Sequence, residues 1–514
     1  MKKIMIVDSM INGYKRLIIS VLIMFNPLIS QPINIPGLDE YIHDNMEYFK
    51  VPGLSIAIVK DDRLIFAKGY GTREIGQTKN VDDNTLFAIG SISKSTTAIA
   101  LAMLEDEGKL SWNDKVIQHL PDFKMYDPWV TIEITITDLL THRSGLRSVS
   151  GGTIWYGSDF SREEVVHRLR YLKPISSFRS DYAYQNVMYV VAGQIIPSIT
   201  GKTWDEFIRE RLITPLRMNR TTTTMAELSA QQNVTKPHIL KNSEIIVIPH
   251  RDYDNIGPAA SIYSSAQDMA QYVRCLLNNG EFEGKRIFST ANAKEMFRPQ
   301  MTIPVSEYSS EMRRRQPQYR AYGFGWFIED YQGQKIIRHS GGVDGMRALV
   351  AMVPDENLGF VILTNQEEYR MYYTVFYKLL DHFLGFPEYP WDQVFQKSLD
   401  SPSEDKLPKI SNTQMSLNLE EYSGVYQDRM ISDITINLVD DRLVLAFSHT
   451  PSFTADLKHW DGEIFRLIWR DPTIPNGFIT FKLDPDSAVI GLKFDQPQLL
   501  DVDFDELDVH RQNY

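Results

Sequence analysis

The sequence predicts an α+β chain: one antiparallel sheet flanked by helices, a helical subdomain inserted between its strands, and a separate C-terminal all-β barrel. Three observations carry this. A β-hairpin signal at 54–67 stands far in sequence from a second group of strands that starts at Tyr322, and the stretch between them reads as helices and loops. A sheet whose strands come from both ends of a segment must enclose what lies between. Past a Ser-, Pro-, Lys- and Asp-rich stretch at 399–413, the texture changes to short strands with turn signals. The expected division is a signal peptide or anchor at 1–30, a main domain at 31–398, a linker at 399–413 and a barrel at 414–514.

Taken in order, Lys15-Arg16 precede the apolar run 17–25, which Asn26-Pro27 ends. A run of that length fits the ~7–15 residues of a signal h-region better than the ~20 of a spanning helix. Met10 is an alternative start. The expectation is a secreted or periplasmic protein; an uncleaved anchor is the alternative and the one route to membrane contact. Residues 38–49 read as a helix with Leu38, Tyr41, Ile42 and Met46 on one side, stopped by Val51-Pro52-Gly53. Strands at 54–59 and 64–67 flank Asp61-Asp62-Arg63 as a hairpin. An apolar helix follows from Ser91 to a stop at Gly108. Further helices are expected at 187–199 and 266–277. Strands follow at 322–328, 336–339, 347–353 and 359–363, then a closing helix at 372–383. In the last hundred residues, strands are expected at 435–438, 443–447, 477–481 and 489–494.

Composition narrows the function. With 43% hydrophobic and 23% charged residues the chain is an ordinary globular one, and 514 residues imply more than one domain. A net charge of −12 gives nucleic-acid binding no electrostatic support. Arg313-Arg314-Arg315 reads as a solvated loop. Cys275 is the sole cysteine, so no intrachain disulfide forms, and its apolar neighbours bury it in a helix. No His-x-x-x-His or cysteine spacing suggests a metal site, and nothing calls for a cofactor. The partner expected is a small-molecule or peptide substrate.

Ser91-Ile92-Ser93-Lys94 carries the chemistry. Residues three apart share a helix face, so Lys94 can reach the Ser91 hydroxyl. A serine hydroxyl needs a base, and a lysine in an apolar run loses its charge readily. Ser403 and Lys406 match the same spacing, but in a polar stretch with nothing apolar around them. Two further sets stand in order after Ser91. Tyr184-Gln185-Asn186 precedes an apolar helix, and His339-Ser340-Gly341-Gly342 closes a strand. Tyr253-Asp254-Asn255 repeats the Tyr-x-Asn pattern; chain position and the helix behind it favour Tyr184.

With Thr141-His142-Arg143-Ser144-Gly145 and Tyr322-Gly323-Phe324-Gly325-Trp326 around them, these motifs resemble the serine β-lactamase and penicillin-binding protein superfamily, in its class C β-lactamase and D,D-peptidase branch. The resemblance runs from about Leu38 to Phe383. The C-terminal part, with Tyr422-Ser423-Gly424-Val425-Tyr426, is similar to the lipocalin-like domain of some peptidases of that branch. The resemblance implies a β-lactamase/transpeptidase-like fold. It also implies a secreted serine hydrolase that cleaves an amide or ester (a D-amino-acid peptide, a β-lactam or a small ester) through a Ser91 acyl-enzyme. Lys94 and Tyr184 would share the proton work, with either as base. Asn186 would hold Lys94 and the substrate amide. The N–H groups of Ser91 and Gly342 would form the oxyanion hole, and Ser340 and Gly341 would line the substrate site. His339 would face a substrate carboxylate as imidazolium. Lysine is usual there in β-lactamases of this type, and histidine is commoner in peptidases and esterases. Arg143 stands where threonine is frequent, and no role follows for it. The alternative reading is a non-catalytic binding or structural protein that keeps the fold.

Overall fold

The computed structural model describes residues 35–399, 413–497 and 499–512. The N-terminal apolar run, the Ser403/Lys406 pair and nearly all of the expected linker lie outside the described residues.

Helix α1 (Leu38–Tyr48) leads into β1 (Gly53–Lys60) and β2 (Arg63–Gly71). The hairpin turn places Asp61 and Asp62 at φ 51° and 59°. Two successive left-handed residues match the right-handed twist of paired strands, and aspartate tolerates that conformation. The chain then enters a helical region containing α2 (Ser93–Asp106), α3 (Asn186–Thr200) and α4 (Ala266–Leu277). It returns through β3 (Met301–Thr302), β4 (Arg320–Tyr322), β5 (Phe327–Tyr331), β6 (Gln334–Val343), β7 (Met346–Val353) and β8 (Leu358–Thr364). Helices α5 (Tyr369–Leu384) and α6 (Trp391–Leu399) close the part.

The eight strands form one antiparallel sheet in the order β2-β1-β8-β7-β6-β5-β4-β3. β1 pairs β8, with Leu54 opposite Thr364 and Ile58 opposite Phe360, so the first and last strands of the segment join as the second and third strands of the sheet. β1 and β8 are buried almost throughout, which explains their unbroken apolar runs. α4 packs over them so closely that a Cβ on Gly359 would lie 2.3 Å from Val273 Cγ1. α5 packs on β7 and β8. Cys275 is buried on α4.

Three local expectations change. The strand expected at 322–328 is two strands, divided by a turn at Gly323–Trp326 with Gly325 at φ 79°. Ser340, Gly341 and Gly342 lie within β6 and pair with β7, rather than after the strand's end. Two of the triplet's arginines are not solvated, although Arg313 is exposed: Arg314 Nη2 sits 3.1 Å from Asp381, and the Arg315 guanidinium lies 4.8 Å from the centre of the Tyr373 ring. Aromatic faces and one buried carboxylate hold these cations.

Strands β9 (Gly424–Asp428), β10 (Ser432–Val439), β11 (Arg442–Phe447), β12 (Thr454–Asp461), β13 (Ile464–Trp469), β14 (Gly477–Leu483), β15 (Val489–Asp495) and β16 (Val509–Arg511) close into an antiparallel barrel. Closure removes sheet edges. Tyr422, Phe465 and Phe481 pack ring on ring at one part of its core, and Phe453, Phe494 and Phe504 at another. The barrel docks on the helical region. Phe453 stacks on Tyr156 at 5.7 Å, and Arg251 bridges Asp344 of the sheet part to Asp471 of the barrel at 2.5 and 2.7 Å.

Candidate active site

Local backbone shape sets the nucleophile. Ile89 is tied by its N–H to Ile262 O at 2.9 Å. Gly90 then turns at φ +50° into a short 3₁₀ turn, Gly90–Ile92, and α2 continues from Ser93. Ser91 therefore sits in the 3₁₀ turn and Lys94 in the first turn of the α-helix, not both on one regular helix as the spacing alone suggested. The three-residue separation still brings them together, because i and i+3 align in a 3₁₀ turn. Every residue from Ser93 to Leu104 is buried, so α2 is a core helix.

Lys94 is fully buried, and its Nζ has three partners: Ser91 Oγ at 3.0 Å, Asn186 Oδ1 at 2.6 Å and Ala259 O at 3.2 Å. Burial pulls its pKa down to about 7, against an opposing pull from the Asp501 carboxylate. Tyr184 lies with its ring centre 4.6 Å from Lys94 Nζ. Burial, then Asp501, push the Tyr184 phenol well above its ordinary range, while a hydrogen bond with Ser91 works the other way. Tyr184 is thus a protonated phenol. Asn186 opens α3, which places its amide under the lysine.

The loop before α3 is braced from below. The Gln185 N–H donates to His142 Nδ1 at 3.1 Å, Ser144 Oγ bonds Gln185 Oε1 at 3.0 Å, and the His142 ring lies 4.5 Å from that of Tyr184. Burial, with Lys94 and His339 nearby, keeps His142 neutral. Arg143 gains an account: with Arg179 it pairs with the fully buried Asp138, at 2.6 and 2.7 Å.

Strand β6 supplies the opposite wall. A Cβ on Gly341 would lie 1.8 Å from Ile89 O and 3.2 Å from Ser91 N, and one on Gly90 would lie 2.7 Å from Gly342 N. Only glycine backbone permits this approach. It brings the Ser91 and Gly342 amides to the same place. Ser340 and Gly342 line the cleft.

His339 also lines the cleft, but not as an imidazolium. Its Nε2 lies 3.0 Å from the Tyr322 hydroxyl and its Nδ1 2.6 Å from Ser340 O. Burial, and then the charge of Lys94, lower its pKa to about 3. The expected charged carboxylate partner is therefore a neutral hydrogen-bonding residue. Arg320 supplies the guanidinium that lines the cleft.

The cleft holds about 320 Å³ and is bounded by Ser91, Tyr182, Tyr184, Ile303, Arg320, Phe327, His339, Ser340, Gly342, Leu500 and Asp501. A larger cavity of about 890 Å³ runs along the seam between the barrel and the helical region and contains none of the motif residues. The decoy tyrosine, Tyr253, is buried elsewhere, accepting from the Asp344 N–H at 3.2 Å.

Asp501 and Leu500 come from the barrel part, and sequence reasoning missed them. Asn186 Nδ2 donates to Asp501 Oδ2 at 2.8 Å, across 315 positions of chain. No spacing rule connects residues so far apart. Among the described residues no group of three or more His, Cys, Asp or Glu side chains could hold a metal ion, and no helix is long and apolar enough to cross a membrane.

Comparison with known proteins agrees with this fold. Residues 38–375 match the family model described as Beta-lactamase, and residues 408–512 match a domain of unknown function, DUF3471. Unguisins hydrolase ungD of Aspergillus violaceofuscus is 28% identical over 424 residues, covering 75% of this chain and 73% of that protein. Protein flp of Staphylococcus aureus is 24% identical over 329 residues, 64% of this chain and 62% of its own length. In fold, the chain resembles the octameric penicillin-binding protein homologue from Pyrococcus abyssi, with a TM-score of 0.62 at 22% identity over 91% of this chain and 99% of that one. A class C β-lactamase superposes with a TM-score of 0.54 at 19% identity, over 67% of this chain and 94% of that one.

Proposed function

Because the chain belongs to the Beta-lactamase family, we propose that it is a serine hydrolase that cleaves an amide or ester through an acyl-enzyme on Ser91. The observation that carries this is the buried Lys94 amine, 3.0 Å from Ser91 Oγ with a pKa of about 7. When neutral, that amine has two N–H bonds for Asn186 Oδ1 and Ala259 O, and its lone pair is left for the serine proton. Lys94 is the base in this reading, and Tyr184, held protonated, is the acid.

The steps balance. Ser91 Oγ bonds to the carbonyl carbon as its proton passes to Lys94, and the Ser91 and Gly342 amides take the charge on the carbonyl oxygen. The C–N or C–O bond then breaks, the leaving amine or alcohol departs with a proton from Tyr184, and the protonated Lys94 returns its proton to the Tyr184 phenolate. Water next attacks the acyl ester with the same two groups assisting, so the acid leaves and Ser91 is restored. Candidate substrates are D-amino-acid peptides, β-lactams and small esters. One relative bears the name of a hydrolase of unguisins, which supports hydrolysis as the reaction class. The apolar N-terminal run supports action outside the cytosol.

Labelling with a fluorophosphonate or a fluorescent penicillin, followed by intact-mass detection, tests this. A single adduct that Ser91→Ala removes is the expected result. No adduct, or one that persists in that variant, would leave the non-catalytic reading in its place.

A further inference from the structure

Two neighbouring segments of the helical region carry apolar side chains outward. Tyr126 is 51% exposed, Trp129 59%, Ile132 56% and Ile175 65%. Trp129 and Ile132 stand three apart on the short helix Pro128–Glu133 and so share a side of it, while Val130 of the same helix is buried in the core. The Trp129 ring meets Phe178 edge-on at 5.7 Å, and Phe178 belongs to the loop that presents Ile175. Tyr126 and Ile175 both border the cavity along the seam. The five side chains form one patch. Exposed apolar residues scattered singly mean little, but a contiguous group marks an interaction surface.

Its surroundings are cationic. Residues 165–180 hold Arg168, Arg170, Lys173 and Arg179 and no acidic residue, in a chain whose net charge is −12. Burial, then the charges of Arg170, Arg168 and Lys124, lower the pKa of His167, which places these three cations round one ring. Nearby carboxylates are engaged. Asp127 accepts from the Trp129 N–H at 2.7 Å, Glu133 pairs with Lys115 at 2.7 Å, and Asp138 holds Arg143 and Arg179. Arg170 reaches Asp122 only at its backbone oxygen, 3.4 Å away, and Lys173 meets Asp508 only at 3.9 Å with both mostly exposed. Among the described residues Lys124 forms no ion pair.

Rings such as Trp and Tyr settle where water meets lipid, and lysine and arginine are drawn to anionic headgroups. A second copy seated on the same patch would set like charges against each other. We propose that the patch of Tyr126, Trp129, Ile132, Ile175 and Phe178 docks the folded body on an anionic lipid bilayer, with Lys124, Arg170 and Lys173 against the headgroups. This route to the membrane is separate from the N-terminal apolar run and independent of the Ser91 reading. The loop that carries Ile175 and Phe178 runs on to Tyr184, so the docked surface and the cleft share one loop.

Trp129 provides the readout. It is the exposed one of eight tryptophans; Trp460 on the barrel is half-buried and the rest are buried. Every protein tested is the full chain carrying Leu22→Asp, which interrupts the apolar run 17–25 and leaves binding to the folded body. Vesicles are phosphatidylglycerol with phosphatidylcholine in equal parts, or phosphatidylcholine alone, each with ordinary or brominated acyl chains. Co-sedimentation and tryptophan emission are measured. The protein should sediment with the phosphatidylglycerol vesicles, and brominated chains should quench part of its emission. Trp129→Phe should still sediment but lose that quenching. Each cation beside an anionic bilayer is worth roughly fivefold in partitioning, so Lys124→Gln, Arg170→Gln and Lys173→Gln together should weaken binding on the order of 100-fold. Circular dichroism and fluorophosphonate labelling show whether each variant is folded. Absence of sedimentation overturns the proposal. So does sedimentation without quenching, because another surface then does the binding. Equal binding to phosphatidylcholine alone, or no loss in the folded triple variant, removes the anionic lipid from it. Self-association in sedimentation velocity without vesicles, abolished by Trp129→Ser, would make the patch an interface between copies and overturn it as well.

Discussion

At the scale of single residues, the lysine decides the pH behaviour. A base with a pKa of about 7 is inactive when protonated, so kcat/KM should rise through neutrality and level off above it. The Asp501 anion favours the charged lysine, so Asp501→Asn should move that limb to lower pH; a limb that stays put or moves upward contradicts the arrangement. Tyr184→Phe removes the acid and keeps the ring over Lys94, and a loss of ~10²–10⁴-fold in kcat/KM is expected. Tyr253→Phe, buried away from the cleft, should lose far less, and the reverse order would show that the wrong tyrosine was chosen. Ser91 and Lys94 were legible in the sequence because a lysine inside an apolar run demands an explanation. His339 was legible as a cleft residue but not in its charge. Its neutrality comes from burial and from the neighbouring lysine, neither of which a linear sequence displays.

Among elements, the close approach of β6 to the nucleophile turn does the positioning. Gly341→Ala puts a methyl group where Ile89 O stands, so β6 must withdraw and carry the Gly342 amide away from the oxyanion position. Removing one such donor costs on the order of 10²–10³ in kcat. We expect a loss of that size, with fluorophosphonate labelling slowed but KM little changed. Normal kcat in that variant would mean that the Gly342 amide is not used. The helix and strand order was legible because β1, β8 and α4 are long, apolar and bounded by turn residues. The break between β4 and β5 was not, because a tight turn at Gly323–Trp326 retains the apolar and aromatic residues of a strand. The fate of the arginine triplet was hidden for a related reason: its aromatic and acidic partners lie on α5, far along the chain.

On the scale of the whole molecule, the cleft is finished by a barrel whose contribution depends on docking. Arg251 is the main ionic tie at one edge of that contact. It donates to Asp344 beside β6 and to Asp471 of the barrel, lies 4.3 Å from the centre of the Tyr156 ring, and all three charged groups are largely buried. Arg251→Ala leaves two carboxylates at the seam without their cation. Removing one partner of a buried ion pair costs roughly 3 kcal/mol at the low end. All three groups sit at the seam, so that cost falls first on docking. Amide hydrogen exchange should therefore quicken first in peptides spanning Asp471 and the Leu499–Val502 turn, with β1 and β8 unaffected. Arg251→Lys retains one charge but not the fork that reaches both carboxylates, and should fall between the two. If exchange rises near Arg251 alone while the turn stays as in the parent, the Arg147, Glu506 and Gly152 contacts are sufficient to hold the turn, and docking does not depend on Arg251.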